Sequence, residues 1–382
     1  MTAHRTLNLS RRKFIGLAVG GTTLAATGGY ALSDRRNLLR ADLPPDLPDL
    51  DTLQPDEREI LFLASLAPSG HNTQPWFVIP LAPWHWIIGN DRRRWLPAVD
   101  PEQRETLLSL GAFLENLEKA AGAFGYACRW TLLGASNQNE RVMEVQLIKG
   151  GSRNTATVES MKGRRTMRAG FSREALRNED LTHLVAGESG LIHYLPTGSK
   201  EARYIDAQTI EANRLQAARD PAQQELADWI RFRSDEARKH RDGLTTGGME
   251  ITGFAGWVVR NFYDKASVQT ADFRERGIAQ VRREVAASAG WLLITSKDAS
   301  VAALLDTGRR MQRLFLKVRA RRIALHPMTQ ILEEPSTKLA LRPTIGIDDP
   351  VQFILRVGYV VDYPPPVSLR RPVGWFLRKG AA

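Results

Sequence analysis

One cysteine, Cys128, in 382 residues excludes an internal disulfide and leaves the fold to its core packing. The alternation over Tyr126–Leu133 sets Cys128 on a strand, where a buried structural thiol is expected. The seven histidines (4, 71, 85, 183, 193, 240 and 326) show no ligand-like i, i+4 pairing, so no metal site is expected. No acid–base dyad stands out either, and no catalytic side chain is assigned. Acidic charge is in short supply, giving a formal net charge of +11. Residues 1–40 hold seven bases against Asp34, a net +6, and the other 342 residues share +5. That spread is too thin for a clustered basic face, so nucleic acid is not an expected partner. The remaining composition, 43% hydrophobic and 25% charged, is that of a globular protein long enough for two domains.

The N-terminal charge has a separate explanation. Ser10-Arg11-Arg12-Lys13-Phe14-Ile15-Gly16 resembles a twin-arginine export signal, and a weakly apolar stretch from Phe14 to Leu32 follows it. Residues 1–33 are therefore expected to be read by export machinery at Arg11 and Arg12, giving a periplasmic protein. The segment is cleaved or is retained as a membrane anchor. Residues 34–55, with Leu43-Pro44-Pro45-Asp46-Leu47-Pro48-Asp49, read as an extended, exposed linker.

Beyond the linker, helical and alternating patterns interleave. Helices are expected at 55–67, from Asp100-Pro101 to about Gly125, and at 178–186, 222–240 and 301–322. Strands are expected at 76–79, 85–88, 127–133, 142–148, 290–295 and 351–361, with an extended tail from Pro364. Glycines 243, 247, 248, 253 and 256 mark an irregular region. The helix sequences around Leu107-Leu108, Gly111, Leu114 and Leu117 and around Leu304-Leu305, Gly308, Met311 and Leu314 align without gaps at an offset of 197, which suggests an internal duplication. Arg309, Arg313, Lys317 and Arg321 then fall on one helical face, expected to be solvated.

Two short segments carry the chemistry. Ala67-Pro68-Ser69-Gly70-His71-Asn72-Thr73-Gln74-Pro75-Trp76 is a proline-set turn rich in short polar side chains. Such a turn suits hydrogen bonds to a polar ring edge or a polyol and is poor core material. About ninety residues on, Arg164-Arg165-Thr166-Met167-Arg168 offers three guanidiniums and a hydroxyl, a set matched to phosphate oxygens. Trp76 itself reads as core.

Ala-Pro-Ser-x-x-Asn-x-Gln-Pro-Trp at 67–76 and Arg-Arg-Thr-x-Arg at 164–168 resemble motifs of the flavin-dependent nitroreductases. The tail Val357-Gly358-Tyr359, Pro364-Pro365-Pro366 and Arg370-Arg371-Pro372 is similar to that family's C-terminal strand and phosphate-reaching base. The motif order is inverted relative to the ordinary short-chain members and is similar to the two-halved Acg-type proteins. The resemblance implies an α+β fold: halves at 56–153 and 154–382 with mixed or antiparallel sheets, joined across a pseudo-twofold interface, with a lid-like insertion at about 240–275. It implies one FMN between the halves and a functional monomer. Arg164, Thr166 and Arg168, with Arg371 or Arg370, would grip the phosphate, while Arg165 either joins them or pairs with an acid. Ser69, Asn72 and Gln74 would bond the ribityl chain and ring, and His71 would face the flavin or cap its turn. The loop through His326, Pro327, Met328 and Thr329 would pass near the reactive nitrogen. The implied activity is two-electron transfer to a small-molecule acceptor, with a membrane carrier as donor in an exported protein. The alternative is an FMN-storage protein closed by its lid.

Overall fold

The computed structural model describes residues 38–43, 53–151, 153–188 and 190–379. The export motif and the proline run of the linker lie outside these residues. Linker residues within them are not simply extended and exposed. Leu38 packs against Ala237 and Leu369, and Arg40–Asp42 form a 3-10 turn.

The first unit opens with α1 (Pro55–Ser65), whose capping box pairs Gln54 with Glu57. After the polar turn come β1 (Trp76–Ala82), β2 (His85–Asn90), the helix α2 (Arg104–Ala123), β3 (Tyr126–Leu132) and β4 (Arg141–Lys149). The expected start of α2 at Asp100-Pro101 is corrected to Arg104. Gln103 adopts a left-handed conformation there (φ 57°), and the Asp100 carboxylate accepts from Thr106 N–H at 3.1 Å. The four strands form an antiparallel sheet in the order β1-β2-β4-β3.

The second unit has α3 (Ala156–Gly163), α4 (Asn178–Val185) and β5 (Ile192–Pro196). A long excursion over residues 197–289 follows. It holds α5 (Lys200–Ala218), α6 (Asp220–Trp229), β6 (Ile230–Arg231), α7 (Ser234–His240), β7 (Leu244–Thr245), α8 (Gly253–Phe262), α9 (Lys265–Val268) and α10 (Ala271–Val285). The single charged helix expected at 222–240 is thus two helices, broken where Ile230–Arg231 pairs in parallel with Leu244–Thr245. The excursion leads into β8 (Gly290–Thr295), α11 (Val301–Val318), β9 (Ile323–Pro327), α12 (Gln330–Glu333), α13 (Pro335–Ile345) and β10 (Val351–Tyr359). The second sheet is also antiparallel, in the order β5-β8-β10-β9. In each sheet the central helix joins the second strand to the third, so the two share one topology. The class is α+β, as expected.

The helices α2 and α11 pack against each other through backbone contact. A Cβ on Gly111 would collide with the Leu305 carbonyl oxygen, and a Cβ on Gly308 would collide with the Leu108 carbonyl oxygen. Each pair maps onto the other at the offset of 197. Leu107, Leu108, Phe113, Leu304, Leu305 and Phe315 join one core that runs through both units. The basic face of α11 is paired with acids rather than left to solvent alone, which corrects that expectation. Arg309 and Arg313 reach Glu115 of α2 at 3.3 and 2.9 Å, and Arg313 and Arg310 bind Glu188 at 2.6 Å. Periodicity places charges on a face but cannot see acids arriving from another element.

Past β10 the tail crosses back to the first unit. Val78 N–H donates to the Phe376 carbonyl and Arg378 N–H to the Val78 carbonyl, both at 2.8 Å.

Candidate functional site

The polar turn is conformationally unusual. His71, Asn72 and Gln74 have φ of 46°, 54° and 53°, a left-handed region that costs non-glycine residues energy unless neighbouring bonds hold it. Those bonds are present. Ser69 Oγ accepts from Gln74 N–H at 2.9 Å, which leaves the hydroxyl hydrogen free to donate. Asn72 donates to the carbonyls of Gly243 (3.1 Å) and Leu369 (3.2 Å), and its Oδ1 accepts from Arg370 at 2.8 Å. Gln74 is fully buried. It donates to the Arg241 carbonyl at 2.9 Å and accepts from Arg371 N–H at 2.9 Å. The structure therefore bonds Asn72 and Gln74 to the tail and the inserted segment. Trp76 lies in the core.

A cleft of about 320 Å³ lies beside the turn, within the roughly 300–1,000 Å³ of small-molecule sites. Pro68, Ser69, Gly70 and His71 form one side, with Glu105 and Ser109 from α2. Thr166 and Arg168 join from the arginine segment, and Pro327, Thr329 and Glu333 from the end of β9 and α12. The excursion adds Asn213, Gln216, Leu226 and Leu244. Burial depresses the His71 pKa to about 4, with Glu105 opposing and Arg168 reinforcing the shift. The ring is thus neutral and offers one donor and one acceptor.

The arginine segment divides its labour. Arg165 pairs with Glu250 at 2.7 Å and donates to the Pro365 carbonyl at 2.6 Å, so its structural alternative holds. Arg168 donates to the Gly248 carbonyl (3.2 Å) and contacts His326 Nε2 at 2.6 Å. A guanidinium only donates, so Nε2 accepts and the ring hydrogen sits on Nδ1. Burial, reinforced by Arg168 and Arg356, holds the His326 pKa well below 6.5. Arg164 is buried, donates to the Leu66 carbonyl at 3.2 Å and lies over the Phe315 ring.

Arg370 converges on the same carbonyl. It donates to Leu66 O at 3.2 Å and Ala67 O at 3.1 Å. Arg40, which sequence reasoning passed over, completes the group. Its Nε donates to the Ser368 carbonyl at 2.8 Å, while both terminal nitrogens are buried without a partner among the described residues. Burial is the first cause lowering all three pKa values, and mutual repulsion is a further cause for Arg40 and Arg370. Arg40 falls to about 9 and Arg164 to about 10. Among the described residues no carboxylate forms an ion pair with these three. Buried cations are ordinarily paired, so the cluster has the chemistry of an anion site.

Two expected residues lie elsewhere. Arg371 binds the Trp76 carbonyl at 2.9 Å and borders Asp91 and Asp242 on another surface. Met328 is buried in a second core, and its N–H donates to the Ile354 carbonyl at 2.9 Å. Leu325–Pro327, expected as loop, belong to β9. The structure also brings together carboxylates that sequence reasoning left apart: Glu105 and Glu333 in the cleft, with Asp100 behind them. Their signal was present as polar pairs at i, i+4 on otherwise apolar helical faces, namely Glu105/Ser109 and Thr329/Glu333.

The arrangement can hold an anion on guanidiniums and a polar ring system in the adjoining cleft, the composition of an organic phosphate site. The chain is 24% identical over 327 residues to the probable NAD(P)H nitroreductase PigM of Serratia sp. (strain ATCC 39006), covering 81% of this chain and 89% of that one. It is 24% identical over 329 residues to the putative NAD(P)H nitroreductase acg of Mycobacterium tuberculosis, covering 81% and 92%. No protein-family profile matches the chain. The crystal structure of the FMN-dependent nitroreductase NfnB from Mycobacterium smegmatis in complex with NADPH overlaps 59% of this chain and 98% of that one, with 16% identity and a TM-score of 0.37.

Proposed function

We propose that the protein is an FMN-dependent oxidoreductase of the nitroreductase type, with one FMN held between its two sheet units. The carrying observation is the cluster of Arg40, Arg164 and Arg370, buried without a carboxylate beside a polar cleft. The unpaired terminal nitrogens of Arg40 are the fit expected of a dianionic phosphate. Similarity to proteins named NAD(P)H nitroreductases along four-fifths of the chain supports the same reading.

FMN, when bound, supplies the two-electron chemistry. Arg40, Arg164 and Arg370 hold its phosphate, and Thr166 borders the same side. Ser69 offers a free hydroxyl hydrogen and neutral His71 offers one donor and one acceptor to the ring system. Asn72 acts through Arg370, whose guanidinium it orients from the strained turn. Arg168, fixed on His326, brings positive charge to the cleft and would stabilise negative charge on a ring bound there. The donor is a nicotinamide dinucleotide or, for an exported protein, a membrane carrier. Export through Arg11 and Arg12, internal duplication of the two units and a functional monomer belong to the same proposal.

The test is an absorption spectrum of the purified protein with identification of released flavin. One FMN per chain, lost in Arg164→Ala, is expected. Arg40→Ala removes about 1.5–3 kcal/mol of charge-assisted bonding, roughly 10- to 100-fold in FMN affinity, and leaves riboflavin binding unchanged. A colourless protein that takes up no added FMN overturns the reading. Leu226 and Leu244 cover part of the cleft, which favours FMN storage as the second reading. Absence of turnover with any donor, despite bound FMN, would select it.

A further inference from the structure

Thr329 stands between two carboxylates at the floor of the cleft. Its Oγ1 lies 3.1 Å from Glu105 Oε1 and 2.9 Å from Glu333 Oε1. A hydroxyl carries one hydrogen, so it donates to only one of them. The other contact would set two lone-pair oxygens against each other unless that carboxyl carries a hydrogen itself. The surroundings decide which one does. Arg104 donates to Glu105 Oε1 at 3.0 Å, so this oxygen already accepts from a cation and is the natural acceptor for the Thr329 hydrogen. Glu333 forms no ion pair among the described residues, and Gln216 Nε2 donates to its Oε2 at 2.6 Å. Its neighbour Glu334 takes up Arg219 at 2.6 Å, away from the pair. The hydrogen is therefore on Glu333 Oε1, and the chain of bonds runs from Glu333 Oε1–H to Thr329 Oγ1 and from Thr329 Oγ1–H to Glu105 Oε1.

We propose that Glu333, Thr329 and Glu105 hold one shared proton at the cleft and deliver it to the molecule reduced there. The delivery step rests on the oxidoreductase reading; the held proton does not. Reduction of a nitro to a nitroso group consumes two electrons and two protons and releases one water. Both electrons and one proton would come from the cofactor that such a reading requires. The relay gives the second proton, becomes one charge more negative, and is refilled from water.

The electrostatics agree with the geometry. Burial, and then the Glu105 charge, push the Glu333 pKa up to about 8, and the same two causes push Asp100 up to about 7. The charged groups acting on Glu333 are Glu105 and Arg104; Asp100 and His71 each feel the Glu105 charge, and Arg168 lines the same cleft. An acid whose folded pKa is raised stabilises the fold below its unfolded value and loses that contribution as pH rises through the folded value. His71 has the opposite slope, between about 4 and 6.5. From pH 6.5 to 8 the carboxyls therefore act alone among these groups, and stability falls.

The experiment has two arms. Infrared spectroscopy of the protein as purified reads the carboxylic acid C=O band, with or without flavin. A carboxylic acid component that titrates near pH 8 and is missing in Glu333→Gln is expected, beside an Asp100 component titrating near pH 7 that remains; complete ionisation of the Glu333 component at pH 6.5 overturns the shared proton. Anaerobic mixing of the pre-reduced FMN protein with a nitroaromatic then reads delivery. Loss of a general acid lowers the oxidation rate about 10²- to 10⁴-fold in Glu333→Gln and in Thr329→Val, with recovery in Thr329→Ser and an unchanged rate of flavin reduction. Wild-type rates in both variants overturn delivery. A flavin-free protein that keeps the infrared band removes the oxidoreductase reading and delivery with it, and leaves the held proton standing.

Discussion

The two sheets share one strand order, yet their first connections differ greatly. In the first unit β1 turns into β2 through residues 83 and 84, while in the second β5 reaches β8 only after residues 197–289. That excursion brings Asn213, Gln216, Leu226 and Leu244 to the cleft, and the first unit has no equivalent. The Ser69–Gln74 turn, conversely, belongs to the first unit alone. The shared strand order frames the packing of α2 on α11, and the parts that the two units do not share line the cleft.

The comparison breaks most severely at the paired glycines. Gly111→Ala and Gly308→Ala each force a methyl into a facing carbonyl oxygen, an overpacking that costs about 3 kcal/mol or more when backbone must move. Denaturant unfolding should show similar losses for both, and a neutral result at either position would refute the reciprocal packing. The charged seam should give the next largest effect. Glu115 is buried and receives Arg309, Arg313 and Lys119, so Glu115→Gln should cost about 1–3 kcal/mol after allowing for the partly exposed arginines. Its control is Glu140→Gln, which removes the surface partner of Arg378 and should change stability by about 0–1 kcal/mol. Equal losses would mean that the seam contributes no more than a surface pair. The smallest effect sharpens the comparison. Gly122 in α2 and Gly277 in α10 would meet nothing within 4 Å on gaining a Cβ, so alanine there should stabilise by about 0.5–1 kcal/mol. If Gly277→Ala alone does so, the first unit has tighter demands on its helix than its contacts show.

Local pattern made the framework legible. Both central helices follow from periodicity and the strand at 290–295 from its short apolar run, and the offset of 197 anticipated the reciprocal glycines. The site was legible in its segments but less so in its individual roles. Asn72 and Gln74 looked like ligand-facing donors because short polar side chains in a turn carry no label for direction. They are spent on Leu369, Arg241 and Arg371, residues about 170 to 300 positions away in sequence, which no local pattern can reveal. Arg40 was hidden in a linker whose prolines argue for exposure. Glu333 and Glu105 lie 228 positions apart, so their pairing exists only once α12 has met α2. Non-local assembly is the common cause of what was missed.

The tail that returns to β1 has a consequence for timing. Arg370 reaches the Leu66 and Ala67 carbonyls only after the chain has passed through the second sheet and come back to the first. During synthesis, the turn at 69–74 and the guanidiniums of 164 and 168 are made long before the segment that joins them. At the proposed site, tight capture of a phosphate would therefore wait for residues 370–378 to leave the ribosome and close over Val78. On that reading the closing segment is a checkpoint, because a nascent chain without it lacks Arg370 on the Leu66 and Ala67 carbonyls.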